Sequence, residues 1–302
     1  MHESYLATLR LLLQVLPTVF DSRRLALKGG TAINLFVNDF PRVSVDIDCT
    51  LIYASLPRAK ALAAIQNEIE RMAAVYESVG FRTKRVGSGE KLTISNGKTI
   101  VKIEVNPVMR GTLLPPVDMP VCKALQKLIT GNSFFVPVLH PDELYAGKLV
   151  AALDRQHPRD LFDSWLLLKR NGLTEQMLDC FVIYLAAHNR PMHEVLAGND
   201  HPLEAIYNNS FVGMTKESVN LEELLEVRRQ LRNILPERLG INRKRFLHSF
   251  AEGNPNWTLV PFESARNLPA IKWKLQNLKK LQGTNPGKLK DQLNLLDCAL
   301  KL

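Results

Sequence analysis

The stretch RVSVDIDCTLIY, residues 42–53, constrains this chain more than any other. Val43, Val45, Ile47, Cys49 and Leu51 alternate strictly with Ser44, Asp46, Asp48 and Thr50. Side chains on a strand point to opposite faces with a period of two, so the pattern predicts a half-buried β-strand and sets its register. That strand puts two carboxylates, Asp46 and Asp48, on one face, about 7 Å apart at the backbone. Two ionised groups so placed repel each other. A divalent cation is one reason to keep them there, because magnesium takes oxygen ligands and is commonly held by one or two carboxylates plus substrate phosphates. A polar face turned to water is the other reading, and for an isolated pair it is the commoner one.

The surroundings of this strand predict the rest of the fold. SYLATLRLLLQVLPTVF has helical spacing and is expected to end near Pro17. LALKGGTAINLFV reads as strand, Gly-Gly turn and helix, and RAKALAAIQNEIERMAAVYESVG as an amphipathic helix stopped by Gly80. FRTKRV, KLTISN and TIVKIEVNPV read as strands separated by the turns GSGE and NGK. GTLLPPVDMPV, with its three prolines, is expected to be a loop or an edge segment. From His140 onward the periodicity is helical: PDELYAGKLVAALDRQ, a break at Pro158, then RDLFDSWLLLKRNG. The expected class is α+β. A lobe with a mixed sheet spans residues 1–138, and an α-helical lobe spans 139–302 and brings Lys148 and Asp163 to a cleft between the two.

Three further groups of residues bear on chemistry. In VKIEVN, Lys102, Glu104 and Asn106 share one strand face, so Glu104 is a candidate third carboxylate for a two-metal site; it could equally be a surface residue paired with Lys102. In KGGT, Gly29 and Gly30 allow close approach of backbone to phosphate oxygens, and Thr31 is placed to cap the helix or hold a phosphate. In AGKLVAAL, Lys148 stands alone among apolar residues, where an ammonium needs a partner or must reach solvent. Arg155 lies seven residues on, on roughly the same face, and Asp160 and Asp163 share a face after Pro158.

Composition narrows the partners. The chain is 46% hydrophobic and 23% charged, ordinary for a globular protein. No apolar run reaches the roughly 18 residues of a membrane span, and the N-terminus is not patterned as a signal peptide, so a cytoplasmic location without membrane contact is expected. Cys49, Cys122, Cys180 and Cys298 have no C-x-x-C spacing and are read as reduced. The net charge is +9, and residues 221–302 alone hold 15 basic against 8 acidic residues. A polyanion, nucleic acid first, is the partner this suggests, against a merely soluble basic surface. Trp257 and Trp273 are read as core residues before base-stacking ones.

KGGTAINLF, then RVSVDID, then VKIEVN, then ELYAGKLVAALDRQHPRDLFD, in that order, resemble the AbiEii/MenT family of nucleotidyltransferase toxins within the DNA polymerase β-like superfamily. The resemblance covers roughly residues 20–170. It implies a polymerase β-like nucleotidyltransferase lobe and a toxin of an AbiE-like toxin–antitoxin system, linked to phage defence and growth inhibition. Gly29, Gly30, Thr31 and Ser44 would line the nucleotide, and Asp46 and Asp48 would hold Mg²⁺ (or Mn²⁺). Glu104 stands in the place of the third carboxylate. Lys148 and Asp163 match the family's essential lysine and aspartate, with Lys148 and Arg155 near the phosphates. The base is either Glu104 or Asp163. The implied substrate is an NTP, the implied acceptor the 3′ end of tRNA or another RNA, and the implied partner a cognate antitoxin. AMP or UMP transfer to a protein hydroxyl, and a silent NTP- and RNA-binding module, are the rival readings. Two departures stand out: Gly-Gly-Thr where the superfamily often has Gly-Ser, and Glu104 where Asp is common.

Overall fold

The computed structural model describes residues 3–129 and 133–302. The chain divides into two units. The first is Met1–Leu144 with Gly213–Glu217, the second Tyr145–Val212 with Ser218–Leu302.

The first unit is built on one mixed sheet. Its strands are β1 (Leu25–Lys28), β2 (Asp46–Leu51), β3 (Arg82–Val86), β4 (Lys91–Ser95), β5 (Ile100–Asn106), β6 (Val117–Pro120) and β7 (Phe135–Val138), in the spatial order β3-β4-β5-β2-β1-β7-β6. β2 runs parallel to β5 and antiparallel to β1. Alternation decides which face is dry. Ile47, Cys49, Ile94, Val101, Ile103 and Val105 are all buried. The helices α1 (Glu3–Phe20) and α3 (Arg58–Ser78) pack against these strands and each other, with the Tyr76 hydroxyl donating to the Val15 carbonyl at 2.7 Å. A short helix, α2 (Gly29–Ala32), follows β1 and runs on as a wider π-type turn, Ile33–Val37. α4 (Lys123–Gln126) is a single turn after β6.

Three expectations need correction. α1 does not end at Pro17 but continues to Phe20, because burial of Val19 and Phe20 outweighs the missing proline N–H in the last turn. The β2 strand begins at Asp46, not Arg42. The residues before it turn instead to a distant stretch: Arg42 bridges Thr215, the Val43 N–H donates to the Met214 carbonyl, and Lys216 N–H donates to Pro41. Pro158 opens a helix as well as closing one. It is the first residue of α6 (Pro158–Arg170), where a missing N–H costs nothing, and His157 Nδ1 accepts from the Arg159 N–H.

The second unit is helical among the described residues. It holds most of α5 (Pro141–Asp154), then α6, α7 (Glu175–Ala186), α8 (Met192–Ala197), α9 (Glu204–Ser210), α10 (Leu221–Arg238), α11 (Gly240–Ala251), α12 (Pro269–Thr284) and α13 (Pro286–Leu300). Caps mark the starts: Thr174 accepts from the Met177 N–H, and Asn220 with Glu223 forms a reciprocal capping box at α10. α10 packs on α6 and α11 on α7, while α13 lies against α8, α11 and α12. Among the described residues no helix is long and apolar enough to cross a membrane.

Candidate active site

The polar face of the first unit's sheet collects the predicted residues of that unit. Asp46 is exposed and Asp48 half-buried on β2, and both lie opposite the buried Ile47 and Cys49. Parallel pairing sets Asp48 beside Glu104 and Asp46 beside Lys102, while antiparallel pairing sets Asp48 beside Lys28 and Glu104 beside Lys91. A row therefore crosses four neighbouring strands, Lys28, Asp48, Glu104 and Lys91, with two adjacent carboxylates flanked by two lysines. Burial pushes the Lys28 ammonium below its usual range, against the pull of Asp48 and Glu104. Glu104 binds Lys102 at 2.7 Å and Lys91 at 3.2 Å. Burial would raise its pKa, but the two lysines outweigh that and hold the carboxyl ionised below the usual range. The pairing with Lys102 that its sequence permits is thus present, with Lys91 as a second partner.

The turn at Gly29 and Gly30 lies directly against this row. Gly29 has φ +74°, and a Cβ there would come within 2.7 Å of Asp48 Oδ2. A Cβ at Gly30 would come within 2.7 Å of the Arg42 guanidinium and 2.9 Å of Ser44 Oγ. Only glycine lets the backbone approach so closely. Thr31 neither caps α2 nor faces outward. It is buried, its hydroxyl donates to the Asp46 carbonyl at 2.5 Å, and it lies 3.0 Å from Ser44 Oγ. Thr31 and Ser44 therefore fasten the turn to the start of β2. Arg42 is buried and donates to the Val43 carbonyl at 2.9 Å. Lys28, Arg42 and Lys91 escaped sequence reasoning. The first belongs to the same KGGT stretch, where it follows three buried apolar residues of β1, and that position was the available signal.

The donor set can be tested against a metal. Among the described residues no three His, Cys, Asp or Glu groups gather closely enough to hold one. Asp46, exposed, and Asp48, half-buried, supply two carboxylates on one strand face, which fits magnesium carried on substrate phosphates rather than a closed protein cage. Glu104 could join only by exchanging its lysines.

Lys148, Arg155, Asp160 and Asp163 form a second cluster, within the helical unit. Lys148 does not reach for solvent. It is buried, with Nζ 2.7 Å from Asp160 Oδ1 and 3.1 Å from Asp163 Oδ2. Arg155 grips the same Asp160 with a fork, Nε to Oδ2 at 2.5 Å and a terminal nitrogen to Oδ1 at 2.9 Å. Burial alone would raise the Asp160 pKa, but Lys148 and Arg155 hold it far below the carboxylate range. Two cations and two carboxylates balance, which makes the burial tolerable.

A mixed sheet carrying an acid pair beside a glycine turn, with a helical unit after it, has the fold of a nucleotidyltransferase. That fold is shared by MenT4, a nucleotidyltransferase toxin from Mycobacterium tuberculosis H37Rv, with a TM-score of 0.60 and 16% identity over 91% of this chain and 93% of that one. The family model for the nucleotidyl transferase AbiEii toxin of type IV toxin–antitoxin systems matches residues 10–277, and the chain belongs to that family. It is therefore a nucleotidyltransferase and the toxin member of a toxin–antitoxin pair, for which the family implies an NTP substrate and an antitoxin partner. No match was found among curated proteins.

Proposed function

We propose that this toxin moves a nucleoside monophosphate from an NTP to the 3′ end of tRNA, which would block aminoacylation and arrest translation. The observation that carries the reading is the close approach of the Gly29 backbone to Asp48, which sets a glycine turn directly against a metal-competent carboxylate pair. Asp46 and Asp48 would hold Mg²⁺, which when bound shields the triphosphate and favours the leaving pyrophosphate. Gly29 and Gly30 admit the phosphates, while Thr31 and Ser44 hold the Asp46 backbone in place. Lys148 uses two of its three donors on Asp160 and Asp163, and we assign the third, with Arg155, to nucleotide phosphate. Glu104 and Asp163 are both weak candidates for a strong base, since each is bound to lysine. Catalysis then rests on positioning and electrostatics more than on proton abstraction, as is general for phosphoryl and nucleotidyl transfer.

The test is incubation with each labelled NTP, Mg²⁺ and total tRNA, resolved on a gel. Label on RNA, lost in Asp46→Ala and in Lys148→Ala, is the expected result. Label on a protein band would favour transfer to a protein hydroxyl, and RNA labelling that survives both substitutions would remove the proposed site.

A further inference from the structure

The basic excess of the C-terminal quarter is not uniformly available. Arg228 and Arg232 pair with Asp200, Arg229 with Glu222 and Glu226, and Arg238 with Glu175. Arg243 is held by Glu175 and Asp179, Arg266 by Glu263, and Lys301 by Glu237. Residues 269–290 differ: they hold six lysines and no acidic residue. Lys274 is one of the six and is accounted for. It is buried and donates to the carbonyls of Asn189 and Arg190 at 3.1 and 2.7 Å, clasping the connection between α7 and α8. Lys272, Lys279, Lys280, Lys288 and Lys290 are exposed and, among the described residues, take part in no ion pair.

In the middle of this run stands Trp273, 62% exposed. The other two tryptophans have ring partners: Trp165 stacks on Phe162 at 5.7 Å, and Trp257 meets Phe246 at 5.3 Å. Trp273 has no ring partner among the described residues, so its expected place in the core is overturned. On α12 the residues three, four and seven positions from Trp273 are Gln276, Asn277 and Lys280, and they share its face. Lys272 and Lys279 border it. Leu275, Leu278 and Leu281 are drawn inward. The outer face therefore offers one aromatic ring amid ammonium and amide groups, without the apolar surround that a protein partner's hot spot requires.

We propose that this face of α12, with the lysines that open α13, docks single-stranded RNA: a base stacks on Trp273, and Lys272, Lys279 and Lys280 follow the phosphates. Aromatic stacking combined with a cationic track is the recognition mode of sequence-tolerant single-strand binders. The inference rests on the RNA acceptor proposed above and gives it a place to bind.

The test uses the full chain carrying Asp46→Ala, so that binding is read without turnover, with deacylated total tRNA and a 12-nucleotide single-stranded RNA as probes. Adding Trp273→Ala should weaken RNA affinity about tenfold or more, while Trp273→Phe keeps most of it and loses the indole quenching seen on binding. Changing Lys272, Lys279 and Lys280 together to Gln should flatten the slope of log affinity against log salt by about 2. Affinity and salt slope unchanged in Trp273→Ala and in the triple variant would overturn the proposal. So would poly-glutamate binding as well as RNA and indifferently to Trp273→Ala. The two readings separate when the Trp273 and lysine changes are also made with Asp46 intact: RNA labelled by those variants at unchanged KM sinks the docking surface alone, whereas RNA bound through Trp273 but never labelled sinks the acceptor alone.

Discussion

Replacing Gly29 by alanine separates steric placement of Asp48 from ordinary backbone strain. Gly29 sits at φ +74°, and an added Cβ would lie 2.7 Å from Asp48 Oδ2 and 3.3 Å from Asp48 Cβ. A left-handed backbone costs a residue with a Cβ about 1–2 kcal/mol. The clash adds a displacement of the Asp48 carboxylate, because a real Cβ does not come within 3.0 Å of such an atom. Gly97 supplies the control. It sits at φ +87° in the turn between β4 and β5, with nothing within 4 Å of its added Cβ. Gly97→Ala therefore carries the strain without the clash. Each variant should lose a few degrees of Tm, at roughly 2–4 °C per kcal/mol for a chain of this size class. Nucleotidyl transfer should distinguish them, since a displacement of about 1 Å at a reacting centre can cost on the order of 100-fold. Gly29→Ala should lose activity on that scale in the labelled-NTP assay, and Gly97→Ala should keep it. Equal activity in the two variants, with equal melting temperatures, would mean that Asp48 is not held in a catalytic position by the glycine turn.

Asp160→Asn should cost on the order of 3–5 kcal/mol in denaturant unfolding at pH 7, since it strips Arg155 and half of Lys148 of a buried counter-charge. Because the Asp160 pKa is depressed in the folded state, the difference from wild type should persist down to about pH 4 and close only as pH falls further, through the folded value. Lys274 is lowered to about 8 by burial, with Glu194 opposing, so the unfolded chain binds more protons than the folded one between about pH 8 and 10.5. Wild type should accordingly gain stability across that window, by at most about 3 kcal/mol, and Lys274→Gln should not follow it. Chelation of divalent ions should abolish transfer by wild type and leave its melting temperature nearly unchanged, with Mg²⁺ restoring activity.

What could be read beforehand follows from the range over which each signal acts. The alternation around Ile47 and Ile103 is local, so the faces of β2 and β5, and with them Asp46, Asp48 and Glu104, were legible before any coordinates. The three prolines of residues 111–121 marked a loop or an edge segment, and β6 within it is the last strand of the sheet. Pairing between strands is not local. Nothing near Arg42 indicates that Thr215 bridges it, so the strand was expected to start four residues early. The same limit hid Lys28 and Lys91, which reach the acidic row only through register across the sheet. Lys148 and Asp160 lie twelve positions apart on two helices, and helical periodicity within either one cannot join them. Trp273 failed for a different reason. Its helix is amphipathic, yet a large ring is so often buried that exposure contradicts the ordinary rule, and that contradiction made it informative.

The return of residues 213–217 to the first unit has a consequence for the gene as much as for the fold. Lys216 donates from its backbone to Pro41 and from its ammonium to the Asp39 carbonyl, bracing the segment that leads into Asp46. A reading frame stopped after Leu144 would encode β1 to β7 with Asp46, Asp48 and Glu104, yet lack that brace. The two units are therefore interleaved along the message and cannot be dissected into fragments by a single cut. Recombination that swapped one helical half for another would have to carry this pentapeptide with it or leave the acid pair unsupported.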